Sequence, residues 1–319
     1  MRLKYSFIAL TLVISGSIWW AMSRQGVEIF NPKGGEQVKK ELPYEKYSFE
    51  NLAKRGGIAS NIDIQGEIFY YQSEGRRISG EINMPEGEVR GTIIMARGYV
   101  EKENYKSGIG THNAAVYFAQ NGFVTYAPDF SGYGESDPED PIAIGARLVK
   151  PVEILDLIAS VPSDKPIYLW GHSNGGQIML SVAEILSRFD ILRGRTPKSV
   201  RGLTLWAPMS KQFPYGILYY TDEADDKGKW LRGEIARFES EYDVYNYSID
   251  RYLDWIDIPI QIHQGSADEA VPKKWSDELA RTLESKDKEV EYYLYSGADH
   301  NMKPGWDTVL MRDVEWFNQ

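Results

Sequence analysis

Gly171-His172-Ser173-Asn174-Gly175 follows the apolar run Pro166-Ile-Tyr-Leu-Trp170 and precedes Gln177-Ile-Met-Leu-Ser-Val-Ala-Glu-Ile-Leu186, whose apolar spacing predicts a helix. A serine flanked by glycines at a strand-to-helix junction is held out at the tip of a sharp turn, where its hydroxyl is free to react. The turn is so tight that side chains two residues before and after the serine would meet neighbouring backbone, which is why glycine suits both positions. With 29 glycines in 319 residues, the pentapeptide alone carries little weight, and its context has to supply the argument.

Two later segments supply it. Ile258-Pro-Ile-Gln-Ile-His263 reads as a buried strand and runs into Gln264-Gly-Ser-Ala-Asp268-Glu-Ala-Val-Pro272. Val290-Glu-Tyr-Tyr-Leu-Tyr295 reads as another and runs into Ser296-Gly-Ala-Asp-His300. Each puts a candidate just past the carboxyl end of a strand, where reactive groups gather in open sheets. A serine hydroxyl attacks a carbonyl only with a base in reach, and imidazole titrates in the useful range. Of the four histidines, His112 starts an expected helix, His172 lies inside the turn with its side chain expected to point away from a base's position, and His263 precedes Asp268. His300 is therefore the candidate base, its competing reading being a satisfied loop histidine. Asp268 is the candidate carboxylate that holds the imidazole in one tautomer. Glu269 is the weaker alternative, and Asp299 is too close in sequence to orient its neighbour.

Charge developing on a carbonyl oxygen needs N–H donors already in place. One is expected from the backbone of Asn174. The other is expected from Tyr99, in the Arg97-Gly98-Tyr99 segment after the apolar run Gly91 to Ala96, by its main-chain N–H and by its hydroxyl; the competing reading is an aromatic that packs under a cap. Arg97 is either a cation beside the cleft or an ordinary paired arginine. Asp129, heading Asp129-Phe-Ser-Gly-Tyr-Gly-Glu-Ser136, is read as fixing its own loop through backbone N–H groups.

Composition narrows the alternatives. Lys and Arg number 36 against 46 Asp and Glu, a net charge of −10 that repels nucleic acid. The absence of cysteine removes thiol chemistry, disulfides and thiolate metal sites, and the scattered histidines do not have zinc-ligand spacing. No cofactor and no metal are implied. At the amino terminus, Arg2 and Lys4 precede an uncharged run from Tyr5 to Met22 that Arg24 closes. Residues 1–23 are expected to target a membrane. The length of the run and Trp19-Trp20 favour an uncleaved anchor, Ala21-Met22-Ser23 offers a signal-peptide cleavage site, and a buried N-terminal helix is the third reading. The first two put the remaining chain outside the cytoplasm, membrane-anchored or secreted.

Residues 24–45 read as a linker and 46–319 as one folded domain. Glu67 to Tyr71 and Arg76 to Met84 are expected strands joined by a turn at Ser73-Glu-Gly75. Strands at 91–96, 123–127 and 201–206 alternate with helices at about 112–120 and 146–159, which predicts a mostly parallel sheet with helices on both faces. Between about 207 and 255 the alternation lapses into a tyrosine-rich stretch with the acidic cluster Asp222-Glu-Ala-Asp-Asp226. That stretch is expected to cap the cleft, the alternative being packing on the sheet edge.

Taken together, Gly171-His-Ser-Asn-Gly175, the 129–136 loop, His263-Gln-Gly-Ser-Ala-Asp268 and Gly297-Ala-Asp-His300 resemble the prolyl oligopeptidase-type branch of the α/β-hydrolases over roughly residues 60–319. The branch includes dipeptidyl and acylaminoacyl peptidases and related esterases. The resemblance implies an α/β-hydrolase fold with a small cap after the sixth strand, Ser173, Asp268 and His300 as a triad in that chain order, and oxyanion donors at Asn174 and Tyr99. It implies hydrolysis of an ester or peptide bond in a small acyl or peptide substrate through an acyl-enzyme. The chain departs from the branch in having Arg97-Gly98 where relatives carry His-Gly, and in lacking the long propeller domain. That second departure favours a carboxylesterase or lipase-like enzyme as the alternative. A membrane-tethered, non-catalytic binding module is the reading from another class, and oligomeric state is not legible.

Overall fold

The computed structural model describes residues 42–162, 164–193 and 200–319. The expected membrane-targeting segment and most of the expected linker lie outside the described residues. Among the described residues, no helix is long and apolar enough to cross a membrane.

Nine strands form one sheet in the order β1-β2-β3-β5-β4-β6-β7-β8-β9. They are β1 (Asp63–Gln65), β2 (Ile68–Ser73), β3 (Arg76–Asn83), β4 (Gly91–Ala96), β5 (Phe123–Pro128), β6 (Ile167–His172), β7 (Val200–Trp206), β8 (Ile260–Gly265) and β9 (Val290–Tyr295). The first three are antiparallel, β3 meets β5 antiparallel, and from β5 through β9 every pairing is parallel. The hairpin between β2 and β3 closes through Glu74 and Gly75, both with positive φ (49° and 74°), the geometry that matches strand twist in a two-residue turn. The strands at the centre of the sheet, β4, β5 and β6, are buried along their whole length, as parallel strands covered on both faces must be.

Helices α1 (Phe49–Arg55), α2 (His112–Gln120), α3 (Ala143–Leu148), α4 (Lys150–Ser160), α5 (Asn174–Leu192), α6 (Tyr215–Leu218), α7 (Lys229–Glu239), α8 (Lys273–Ser285) and α9 (Trp306–Phe317) complete the fold. On one face, Phe118 of α2 and Trp316 and Phe317 of α9 pack with Ile93, Met95, Phe123, Trp170 and Trp206 from the strands. On the other face, α5 lies along β6 with α1 and α4 beside it. Strand order reverses at β4, where the chain first steps to β5 and then crosses back to β6. The crevice at the carboxyl ends of β4 and β6 is the place such a sheet offers a ligand.

Four expectations need correction. The cap follows the seventh strand, because the three-residue, fully exposed edge strand β1 carried no alternation to read. The helix expected over 146–159 is two helices that meet at Val149, with Pro151 in the first turn of α4, where its missing N–H costs nothing. Tyr44, inside the stretch read as linker, is packed into the body: its hydroxyl donates to Asp140 and its carbonyl accepts from the Tyr247 hydroxyl. Finally, the stretch expected to act as one small cap packs in two parts. Tyr242, Tyr247 and Tyr252 are buried against Tyr44, Phe238 and Phe49, while Tyr215, Tyr219 and Tyr220 surround Trp275 of α8.

The elbow depends on two close approaches. A Cβ on Gly175 would come 1.9 Å from the Ala96 carbonyl oxygen, and one on Gly171 would come 2.7 Å from the Gly175 carbonyl. Both obstacles are backbone and cannot swing aside. Gly175→Ala is expected to cost more than about 3 kcal/mol, read as a lower midpoint in denaturant with an unchanged slope; a variant as stable as the parent would show that the contact yields.

Buried Glu153 on α4 gives a second test. Burial raises its carboxyl to about 7, against the opposing pull of the Ser131 N–H and Lys150. The folded state therefore keeps a proton that the unfolded chain releases between about pH 4.5 and 7, so stability falls as pH rises through that window. Glu153→Gln is expected to stabilise the protein at pH 8 by up to roughly 3 kcal/mol, with little effect at pH 4.5; equal gains at both pH values in urea titrations would contradict it.

Candidate active site

Ser173 sits between β6 and α5 with φ 56° and ψ −120°, a conformation that side chains rarely adopt. The strain is held by backbone on three sides. Its N–H donates to the Trp206 carbonyl at 2.9 Å, and its carbonyl accepts from Gly176 and Met209, each at 3.0 Å. The side chain is left partly open to solvent. Gly98 lies against it: a Cβ there would be 3.2 Å from Ser173 Cβ and 3.6 Å from Oγ.

Around this point the main-chain N–H groups of Tyr99 and Asn174 donate no backbone hydrogen bond among the described residues. The Tyr99 ring is 67% exposed, so it does not pack under the insertion. Its loop is held from below. Arg97 is buried, with its guanidinium 4.2 Å from the ring centres of both Tyr105 and Tyr133, and it donates to the Gly98 and Asp129 carbonyls. Tyr133 in turn donates to the Val100 carbonyl. Arg97 thus fixes the loop and is neither solvated nor aimed at the cleft. Asp129 also differs from expectation: its carboxylate accepts the hydroxyls of Ser79, Tyr105 and Ser107 and, among the described residues, no backbone N–H.

At the ends of β8 and β9 the candidate acid and base come together. His300 Nδ1 lies 2.9 Å from Asp268 Oδ2. Asp268 is further held by Gln264 Nε2 at 3.0 Å and by the N–H groups of Ala270 and Val271 at 2.9 and 2.8 Å. Burial by itself would raise the Asp268 carboxyl, but the His300 hydrogen bond, the Val271 N–H and Gln264 outweigh it and hold the carboxyl below its ordinary range. Asp299 turns to its own loop and accepts from the N–H groups of Asn301 and Lys303, and Glu269 is exposed.

His172 departs from its expected orientation. Its ring centre is 4.6 Å from that of His300, and its Nε2 donates to the His300 carbonyl at 3.0 Å. Burial, then the neighbouring His300, depress the His172 imidazole to about 4, so it stays neutral and pins the loop without competing for protons. The Ser173 hydroxyl makes no hydrogen bond among the described residues; such contacts often close only around a substrate. His263 is fully buried between Tyr295, Gln261 and Asp313 on the far side of β8, and His112 pairs with Glu81 at the start of α2. Among the described residues, no three His, Asp or Glu side chains converge as metal ligands.

Sequence reasoning missed Gln264, which grips Asp268, and Arg147, which donates to Asn174 Oδ1 and Gln177 Oε1 at the start of α5. Neither carries a local signal, since each partner is set by tertiary packing.

Comparison with known proteins fits this geometry. A family profile described as serine aminopeptidase, S33, matches residues 87–232. Monoglyceride lipase of Mus musculus is 24% identical over 275 residues, covering 75% of this chain and 85% of that protein. The chain is a serine hydrolase of the α/β-hydrolase fold. Among solved structures, Est1E from Butyrivibrio proteoclasticus aligns with TM-score 0.55 at 18% identity, covering 79% of this chain and 98% of that one. The acylaminoacyl peptidase of Pyrococcus horikoshii aligns with TM-score 0.57 at 14% identity, covering 81% of this chain and 42% of that one.

The hydrogen bonds to Asp268 predict its titration. The stability they contribute is complete above the ordinary aspartate range and is lost as pH falls through the depressed folded value. In carboxyl-carbon NMR, Asp268 should titrate below the ordinary aspartate range and move upward in His300→Gln; an unmoved Asp268 would mean that the backbone donors alone hold it.

Proposed function

We propose that the protein hydrolyses carboxylic esters through an acyl-enzyme, with Ser173 as nucleophile, His300 as base and Asp268 as the carboxylate that orients it. The observation that carries the reading is the 2.9 Å contact between His300 Nδ1 and Asp268 Oδ2, at strand ends beside a serine raised on a strained turn. With Nδ1 committed to the carboxylate, Nε2 is the nitrogen left to take the Ser173 proton. The oxygen then attacks the substrate carbonyl carbon, and the displaced electron pair settles on the carbonyl oxygen. The free N–H groups of Asn174 and Tyr99 suit that oxyanion. Collapse expels the alcohol, which takes the proton back from His300. Water repeats the sequence on the acyl-enzyme and restores the serine.

Ester cleavage is favoured over peptide cleavage by the surroundings. An aminopeptidase needs an acid set to receive the substrate's amino group. Two acids of the cluster weighed for that task are otherwise engaged: Asp222 is exposed and pairs with Arg232, and Asp226 accepts the N–H groups of Gly228 and Trp230 at the start of α7. The chain also spans nearly all of Est1E and most of the lipase, but under half of the acylaminoacyl peptidase. The family profile's description keeps aminopeptidase activity as the second reading, and the prolyl oligopeptidase-type resemblance points the same way.

A fluorophosphonate probe should label the protein at Ser173, and Ser173→Ala should lose both the label and roughly 10⁶-fold of turnover. Short-chain nitrophenyl esters should be hydrolysed at least 100-fold faster than aminoacyl nitroanilides. Wild-type protein that resists the probe sinks the serine mechanism, and a reversed substrate order sinks the esterase.

A further inference from the structure

We propose that Arg147 and Lys150 form an anion subsite beside Ser173 that holds a carboxylate carried by the ester substrate. The inference rests on the esterase reading and names the class of its substrates. Arg147, near the end of α3, donates from Nη2 to Asn174 Oδ1 at 3.0 Å and Gln177 Oε1 at 2.7 Å, both on the first turn of the helix that Ser173 caps. Lys150 opens α4 three residues later, its Nζ 5.6 Å and 5.7 Å from the ring centres of Phe130 and Tyr133. Ser173, Asn174, Gln177, Arg147 and Lys150 are all partly open to solvent. Arg147 reaches the helix turn that follows the serine, and Lys150 shares the Phe130 and Tyr133 rings with Arg97, whose neighbour Gly98 lies against Ser173.

Neither cation has a counter-ion in the body of the protein. Among the described residues no carboxylate lies within 4 Å of either one, and Lys150 has no hydrogen-bond acceptor. The acids that act on Lys150 at longer range are committed elsewhere: Glu139 pairs with Lys102, and Glu153 keeps its proton up to about pH 7. Half-buried cations without a partner are costly in a fold. Here they stand in a chain whose net charge is −10, so acids to neutralise them were plentiful. Burial lowers the Arg147 guanidinium to about 10; burial, with Arg147 and Arg97 nearby, lowers the Lys150 ammonium to about 8, the direction expected of charges awaiting an anion. A purely structural Arg147 would account for the two amide oxygens and would leave Lys150 unexplained. One guanidinium edge and one ammonium match the two oxygens of a carboxylate, which each can charge-assist.

The test reads binding apart from chemistry. In Ser173→Ala protein, glutarate should bind in calorimetry where glutaramide does not. Lys150→Met in that background should weaken it at least 10-fold, and Arg147→Gln should do the same. An absence of glutarate binding, or an affinity indifferent to Lys150→Met, overturns the proposal. Because that protein performs no hydrolysis, a failure of the esterase reading leaves this result standing by itself. In wild-type enzyme, the nitrophenyl hemiester of glutaric acid and 4-acetoxybenzoate carry the carboxylate on the acyl and alcohol sides respectively. The kcat/KM of one of them, relative to its neutral methyl ester, should fall at least 10-fold in Lys150→Met and so locate the subsite. Ratios unchanged for both overturn the subsite as part of substrate recognition.

Discussion

The missing side chain at Gly175 is the constraint on which the rest depends. With no Cβ there, the first turn of α5 seats directly on the last carbonyl of β4, at a distance that any other residue would have to open. That contact joins two elements that are remote in sequence and makes their ends one surface. It is why Gly98 stands against Ser173, so that Tyr99 and Asn174, whose N–H groups donate no backbone hydrogen bond among the described residues, each follow one partner of that contact. The strained φ of Ser173 persists because its own N–H and carbonyl are tied to β7, to α5 and to the segment after β7. A loosened seat would relax the serine and draw Gly98 away from it.

Electrostatics around this seat are arranged so that each group can hold only one state. Asp268 is gripped by two backbone N–H groups and an amide, and is kept anionic. His172 lies beside His300 but is held neutral by burial, so the proposed base gains a positional anchor and no repelling charge. Arg97 spends its charge on two aromatic faces and two carbonyls beneath the loop. Its burial explains how the loop bearing Arg97-Gly98 keeps its shape. The stack of Tyr105, Arg97 and Tyr133 serves as its support, with the Asp129 carboxylate anchoring Tyr105 from the other side.

The sheet and the candidate site were legible because their signals are local. The wholly buried β4 is a short apolar run, and the runs read at 91–96 and 290–295 end where the strands end, although β9 at the sheet edge is mostly not buried. The elbow and the two loops after β8 and β9 announce themselves by glycine and by position past a strand. What stayed hidden depends on partners far apart in the chain. Asp129 looked like a loop acid fixed by its own backbone, yet it is held by three hydroxyls from two other segments, a set no spacing encodes. The orientation of His172 depends on where the loop from β9 returns. The division of 146–159 into two helices was written in Lys150-Pro151, but an unbroken apolar period across the joint outweighed it.

The insertion between β7 and β8 is anchored in two parts. Its second half buries Tyr242, Tyr247 and Tyr252 against the N-terminal residues Tyr44 and Phe49 and against Phe238 of α7. Its first half sets Tyr219 and Tyr220 around Trp275, and Tyr220 donates to the Ala270 carbonyl two residues from Asp268. Lys211 accepts from Gln177 through its carbonyl and so ties the start of the insertion to the same helix turn that Arg147 grips. An insertion fastened at both ends cannot swing freely as a whole. In the proposed reading, substrate selection then falls to the side chains around the serine, and Arg147 and Lys150, which pair with no carboxylate among the described residues, would set its preference for charge.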